Sequence, residues 1–523
     1  MPRRMVPAPV VTSRRAAAAS ADQIATQAAM SLFERGGNAV DAAIAANAVL
    51  TVTAPHLCGL GGDLFALVHD GAEVHALNAS GRAGAGVDAA ALRAEGHSVM
   101  PFRHHPAAVT IPGCVDGWLA LHDRFGSRPL GELLAPAVAL AGAGFLASPL
   151  LAGSLSLVDE QSRHNLIELA DQATAPGALV RRPGVARTLE AIGSQGRAAF
   201  YGGEFGRGLV ELTGGLISAA DLDAGQADWQ SALRAEAFGV TLHTIAPNSQ
   251  GYLTLGSAIA AETLGLPEDP DSQEWLNVLV RAAVVAGTDR PAVLHERADG
   301  HELLEVIAER ARTAAGGTGA EVDAPPTADG DTTYLCTAER GGLAVSLIQS
   351  NASGFGSGLV EPSTAINVQN RGLGFSLQEG HPAELAPGRR PPHTLSPALA
   401  TYSDGRRIVF GTMGGDAQPQ ILLQLAARLF HHGERVGSAV AAPRWVLRGP
   451  STGFDTWDGD APPSLVVEGH APDAWATAPF GYAIRRSDSF TSEFGHAHAI
   501  VDDGEALHAA ADPRAVIGAA AGR

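Results

Sequence analysis

The feature that most constrains this chain is the junction near residue 332. A stretch from Thr313 to Asp331 carries Gly316, Gly317, Gly319, Pro325, Pro326 and Gly330 with few large apolar residues. That is the composition of a flexible, exposed linker. It runs straight into Thr332-Thr333-Tyr334-Leu335-Cys336-Thr337, and after Glu339-Arg340-Gly341-Gly342 comes Leu343 to Ser350. Both segments read as strands, joined by a glycine turn. A linker feeding a central-looking strand is what a chain needs if a break there is to free a new amino terminus. An N-terminal threonine then carries its own base. Its α-amine, with a reference pKa of about 7.7–8.0, lies within reach of its hydroxyl. By itself a Thr-Thr pair opening a strand says no more than β-propensity.

The rest of the chain supplies context for Thr332. Ser20 or Asp22 can cap a helix that runs to Arg35 and stops at Gly36-Gly37, and an alanine-rich helix follows from Ala39 through Val49. A glycine-rich turn, Pro55 to Asp63, leads into the strand Leu64–Val68, which Gly71 turns back into Glu73–Leu77. Helical patterns dominate from about Gly117 to Ala311, including 131–142 and 275–285. Two further glycine loops stand out, Phe355-Gly356-Ser357-Gly358 and Thr412-Met413-Gly414-Gly415-Asp416. The second follows the strand-like Arg407–Phe410. Backbone N–H groups in such a turn can approach a developing oxyanion without a side chain in the way.

Composition excludes several classes of function. With 55 acidic and 36 basic residues the formal charge is −19, which disfavours nucleic acid and anionic membranes as partners. Cys58, Cys114 and Cys336 are widely separated and lack metal-ligand spacing, so they read as small buried thiols in a reducing compartment. Pro7 and Pro9 interrupt the only candidate for a secretory apolar region, and no run of about 18 apolar residues appears. A cytoplasmic protein is expected.

Taken in order, these segments resemble the γ-glutamyltransferase family of N-terminal nucleophile hydrolases. The resemblance runs through Glu34 to Ala43, Pro55 to Gly62, Asp331-Thr332-Thr333 and Phe355 to Gly358. It continues through Arg390-Pro391-Pro392-His393-Thr394-Leu395-Ser396-Pro397, Gly414-Gly415 and Ala511-Asp512-Pro513-Arg514. It implies an α/β fold of four layers, an αββα sandwich, with no metal or organic cofactor. It also implies a precursor cut between Asp331 and Thr332 into a large chain, 1–331, and a small chain, 332–523, which stay associated as a heterodimer. Thr332 matches the nucleophile, and Gly414 and Gly415 match the oxyanion turn. Ser350 falls where the family has a threonine supporting the nucleophile's amine. His393 and Thr394 fall where transferases carry a Ser-Ser pair that touches substrate.

The departures from the family pattern concern substrate. Ser80 stands where transferases hold the glutamyl α-carboxylate with an arginine, and Arg82 is displaced by two positions. Ala352 stands where an asparagine holds the α-amino end, although Asn351 is adjacent. The Gln-x-x-Asp pair becomes Arg371-Gly372-Leu373-Gly374, which removes the ammonium's partner and adds a positive charge. Such a pocket suits an acyl group bearing a carboxylate or carbonyl and no free amine. Gln369-Asn370-Arg371-Gly372 with His393-Thr394-Leu395 resembles the outlying branch of glutathione hydrolase-like proteins, oxamate amidohydrolases and cephalosporin acylases. Some antibiotic-pathway relatives there cleave a C–C bond next to a carbonyl. Three readings follow: a γ-glutamyl hydrolase or transferase, an amidohydrolase or acylase on another acyl group with water or an amine as acceptor, and an uncut relative that only binds.

Overall fold

The computed structural model describes residues 6–315, 332–448 and 464–523. Most of the linker, with Asp331, therefore lies outside the described residues. The chain opens on β1 (Val10–Ser13) and β2 (Ala16–Ser20). Helix α1 (Gln23–Glu34) begins where the Asp22 carboxylate accepts the Ile24 N–H, and α2 (Ala39–Thr53) begins at a reciprocal Asn38–Asp41 capping box. Every residue of α2 is buried, which accounts for its alanine content. The hairpin β3 (Asp63–His69) and β4 (Val74–Ala79) follows.

The long helical region differs from the expectation in one place. Helices Leu130–Ala143 and Gln273–Gly287 are present, but the stretch between them contains, besides the two-residue pair Phe145–Leu146 and Leu179–Val180, three longer strands, β5 (Asp228–Ser231), β6 (Leu233–Ala237) and β7 (Val240–Thr244). Gly239, at φ +74°, makes the tight turn that pairs β6 with β7. Helices α3 (Tyr252–Thr263) and α4 (Gln273–Gly287) then precede β8 (Thr333–Glu339) and β9 (Ala344–Ser350). The chain continues through β10 (Ala398–Thr401), β11 (Arg407–Thr412), α5 (Gln418–Ala426), β12 (Ala497–Asp502), β13 (Leu507–Ala510) and β14 (Ala519–Gly522).

Two seven-stranded sheets form the centre, in the orders β14-β2-β8-β9-β3-β4-β5 and β1-β13-β12-β11-β10-β7-β6. Every pairing within them is antiparallel. The period-2 alternation of β8 and β3 distributes their side chains to two faces. Tyr334, Cys336, Phe65 and Leu67 point into the core between the sheets, where they meet Leu399, Val409 and Ile500. Leu335, Leu64, Ala66 and Val68 point outwards to α1 and α2. On the far side α3, α4 and α5 cover Leu242, Ala400, Ile408 and Phe410. The result is the four-layer αββα sandwich. Cys58, Cys114 and Cys336 are buried free thiols. No helix among the described residues is long and apolar enough to cross a membrane.

Candidate active site

Strand register places Thr332. Thr333 pairs with Gln349, so Thr332 stands opposite Ser350, and Ser350 in turn pairs with Asp63. Three strands thus deliver three polar residues in one row at one end of the sandwich. Thr332, Ser350 and Asp63 are all buried. The Thr332 Oγ1 hydroxyl donates to Ser350 Oγ at 3.1 Å, and the Ala352 N–H donates to the same Oγ at 2.8 Å.

Arg371 approaches this row from the other side. Its Nη2 lies 3.4 Å from Ser350 Oγ, and its Nη1 donates to Thr394 Oγ1 at 3.0 Å. Burial lowers its pKa to about 10, against which the carboxylates of Asp63 and Asp416 act, so it remains a cation near neutrality. His393 is wholly buried, with Nε2 at 3.1 Å from Asp63 Oδ2. Burial, reinforced by the Arg371 charge, lowers its pKa to about 3. It is a neutral hydrogen-bonding group at pH 7. Asp63 also receives N–H groups from Gly81 at 2.9 Å and from Gln369 Nε2 at 2.9 Å.

The glycine turn reaches the same end of the molecule. The ring of Tyr334, two residues after Thr332, packs on the backbone of Gly411, three residues before Gly414. Gly414 and Gly415 have φ of +139° and +54°, a left-handed path that glycine takes at little cost. Among the described residues neither N–H is taken by an acceptor. Gln250 Nε2 donates to the carbonyls of both Gly415 and Thr394 at 3.0 Å, tying the turn to the loop that Arg371 touches. Behind the turn, Asp416 pairs with Arg290 at 3.0 Å. A cavity of about 330 Å³ opens against Gly414, Met413, Gly354 and Phe355.

Three residues singled out from the sequence stand apart from this group. Arg82 pairs with Asp228 at 3.0 Å and does not join the group, because the two-residue displacement puts it on the outer surface by β5. Asn370 spends its amide on Phe102 O, Ser353 N and Ser353 Oγ, which makes it a brace of the 351–353 turn. Asn351 is buried against Gly59 and Gly62, with neither amide atom hydrogen-bonded. Sequence reading missed Asp63 and Gln250. The only signal for Asp63 was its place directly after Gly59-Leu60-Gly61-Gly62, and Gln250 carried none.

A row of hydroxyls at a strand end, a buried arginine and an open glycine turn are the parts of an acyl-transfer site. The family model described as Gamma-glutamyltranspeptidase matches residues 25–522. The chain belongs to the gamma-glutamyltranspeptidase family. It is an N-terminal nucleophile hydrolase, and its relatives within that family are named as proenzymes. The oxamate amidohydrolase proenzyme of Klebsiella pneumoniae is 34% identical over 526 residues, covering 95% of this chain and 97% of its own. The glutathione hydrolase-like YwrD proenzyme of Bacillus subtilis is 32% identical and covers 94% and 95%. Among solved structures, the cephalosporin acylase from Bacillus halodurans superposes with a TM-score of 0.87 at 29% identity, covering 98% of this chain and 97% of that one.

Proposed function

We propose that this member of the family cuts itself between Asp331 and Thr332 and then hydrolyses short acyl amides that carry a carboxylate beside the scissile carbonyl. Released from the linker, the Thr332 α-amine takes the proton of its own hydroxyl as Oγ1 attacks the carbonyl carbon. The oxyanion collects N–H donation from Gly414 and Gly415. The amine passes the proton to the departing nitrogen, leaving an ester on Thr332 that water or an amine resolves. Ser350 orients the nucleophile. The Arg371 charge, one hydroxyl away, disfavours a second positive charge and so keeps the α-amine neutral and basic.

The observation that carries the substrate reading is the Thr332–Ser350–Arg371 succession. A fixed guanidinium so near the nucleophile pairs with a carboxylate one or two bonds from the scissile carbon, and it repels the α-ammonium of a γ-glutamyl donor. His393, neutral and fixed by Asp63, adds no charge to either. The oxamate amidohydrolase of Klebsiella supports this reading, and the glutathione hydrolase-like protein of Bacillus favours the γ-glutamyl alternative. Turnover of oxamate set against γ-glutamyl-p-nitroanilide separates them. Efficient γ-glutamyl turnover, with a strong penalty for removing the α-amine, would overturn the assignment.

A further inference from the structure

Outside the site just described, one side-chain cluster has the composition and spacing of a cation site. Glu95, at the C-terminal end of the short helix Ala89–Ala94, places Oε2 at 4.0 Å from His97 Nε2 and 3.9 Å from His105 Nε2. The three ligand atoms lie within 4.8 Å of one another. The two imidazoles meet edge to face with ring centres 5.7 Å apart. We propose that Glu95, His97 and His105 form a surface site for a zinc-like divalent cation that staples the two ends of the 95–105 loop together.

Two imidazoles and one carboxylate suit borderline cations such as Zn²⁺, Co²⁺ or Ni²⁺ better than Ca²⁺ or Mg²⁺. At zinc–ligand distances of about 2.0–2.1 Å, tetrahedral ligand atoms stand about 3.3 Å apart. The present separations close to that value by side-chain rotation, since all three side chains are between 32% and 57% exposed. Three protein ligands leave the fourth position to water. One contact opposes binding. His105 Nδ1 accepts the Ala107 N–H at 3.2 Å, and a cation at Nε2 moves the imidazole proton to Nδ1 and breaks that bond. The site is therefore moderate in affinity, one that fills and empties with the cation supply.

The location gives occupancy a consequence. Between the ligands, the loop braces the segment that follows β9. The Phe102 carbonyl accepts from Asn370 Nδ2 at 2.9 Å, and the Arg103 guanidinium donates to the Gly354 carbonyl at 3.2 Å. The His104 N–H donates to the Ser357 carbonyl at 2.8 Å. Arg103 and Gly354 both line the cavity at Gly414. A cation joining Glu95 and His97 to His105 fixes both ends of this brace, so zinc should slow proteolysis within 95–105.

The test uses full-length protein purified without a histidine tag and stripped with EDTA. Calorimetric titration with ZnCl₂ should give one equivalent per chain, and Co²⁺ should produce the d–d absorption of a site with nitrogen and oxygen ligands. Glu95→Gln, His97→Ala and His105→Ala should each weaken binding by about 10-fold or more. His164→Ala, an exposed histidine elsewhere, should leave it unchanged. Absence of stoichiometric binding, or binding that survives the double variant His97→Ala/His105→Ala, overturns the proposal. Protection of the loop by zinc in wild type and not in the double variant supports it independently of activity.

Discussion

In the proposed reaction, Arg371 is the residue on which substrate choice turns. A charge-assisted hydrogen bond from an arginine contributes roughly 1.5–3 kcal/mol, or about 10- to 150-fold in binding. Arg371→Gln should therefore raise KM for a carboxylate-bearing acyl amide by that factor, while an uncharged acyl amide is little affected. An equal loss for both would show that Arg371 acts through the nucleophile or the fold and not on the acyl group. The transferase-type acid cannot be restored opposite it by simple substitution. A Cβ at Gly374 would stand 2.3 Å from the Pro392 carbonyl oxygen, so the backbone here leaves no room for an aspartate. Gly415 makes a second test. A β-branched residue at φ +54° strains the turn and displaces its N–H. Gly415→Val should lower kcat by about 10²–10³, as loss of one oxyanion donor does elsewhere, and unchanged turnover in folded, processed protein rules out the role. Thr332, Gly414 and Gly415 stand out in the sequence because local chemistry marks them: a strand start after a linker, and adjacent glycines after a strand. Asp63 and Gln250 do not, because what defines them is contact with Gly81, Gln369, His393 and Gly415, far away along the chain.

Among the elements, those with a clean local signal were legible and those defined by their neighbours were not. The capping residues and glycine stops locate α1 and α2, and the alternation in 332–350 locates β8 and β9. Strand β2 is invisible to such reading. Ala16 to Ala19 have the highest helix propensity, and both faces are buried, so no alternation shows. Pairing on both sides, with β8 and β14, overrides propensity. Strands β5 to β7 merge into a helical region in the sequence because each is only four or five residues long, β5 and β6 at sheet edges and β7 paired on both sides. The contact between the two sheets is close enough to require glycine at one point. A Cβ on Gly411 would meet the Tyr334 ring at 2.2 Å. Gly411→Ala should destabilise the protein by about 1–3 kcal/mol through overpacking, read as a lower Tm. An unchanged Tm would mean that the sheets can separate locally without cost.

In the whole molecule, both sheets are built from both sides of residue 332. Strands β8, β9 and β14 interleave with β2 and β3 in one sheet, and β10 pairs with β7 and β13 with β1 in the other. Two fragments made by a cut at Thr332 should co-elute on gel filtration and part only in denaturant, since separation breaks both sheets. Near the end of the chain, Asp512 and Glu468 hold Arg514, and Asp512 also pairs with Arg444 at 2.8 Å, all buried. Burial alone would raise the Asp512 pKa, but Arg444 and Arg514 override it and hold it at about 2. Its folded value thus lies below the unfolded one of about 3.9. Its stabilisation is complete above pH of about 4 and lost as pH falls through about 2. Asp512→Asn should lower Tm at pH 7, with the gap to wild type narrowing towards pH 2; a constant gap contradicts this. Whether the chain makes its own nucleophile is read most directly from the N-terminal sequence of the smaller fragment together with the intact mass of Thr332→Ala. The fragment should begin Thr332-Thr333-Tyr334-Leu335-Cys336, and the variant should be a single inactive chain of 53.5 kDa. A cut at another bond, or an active enzyme that remains uncut, would contradict it.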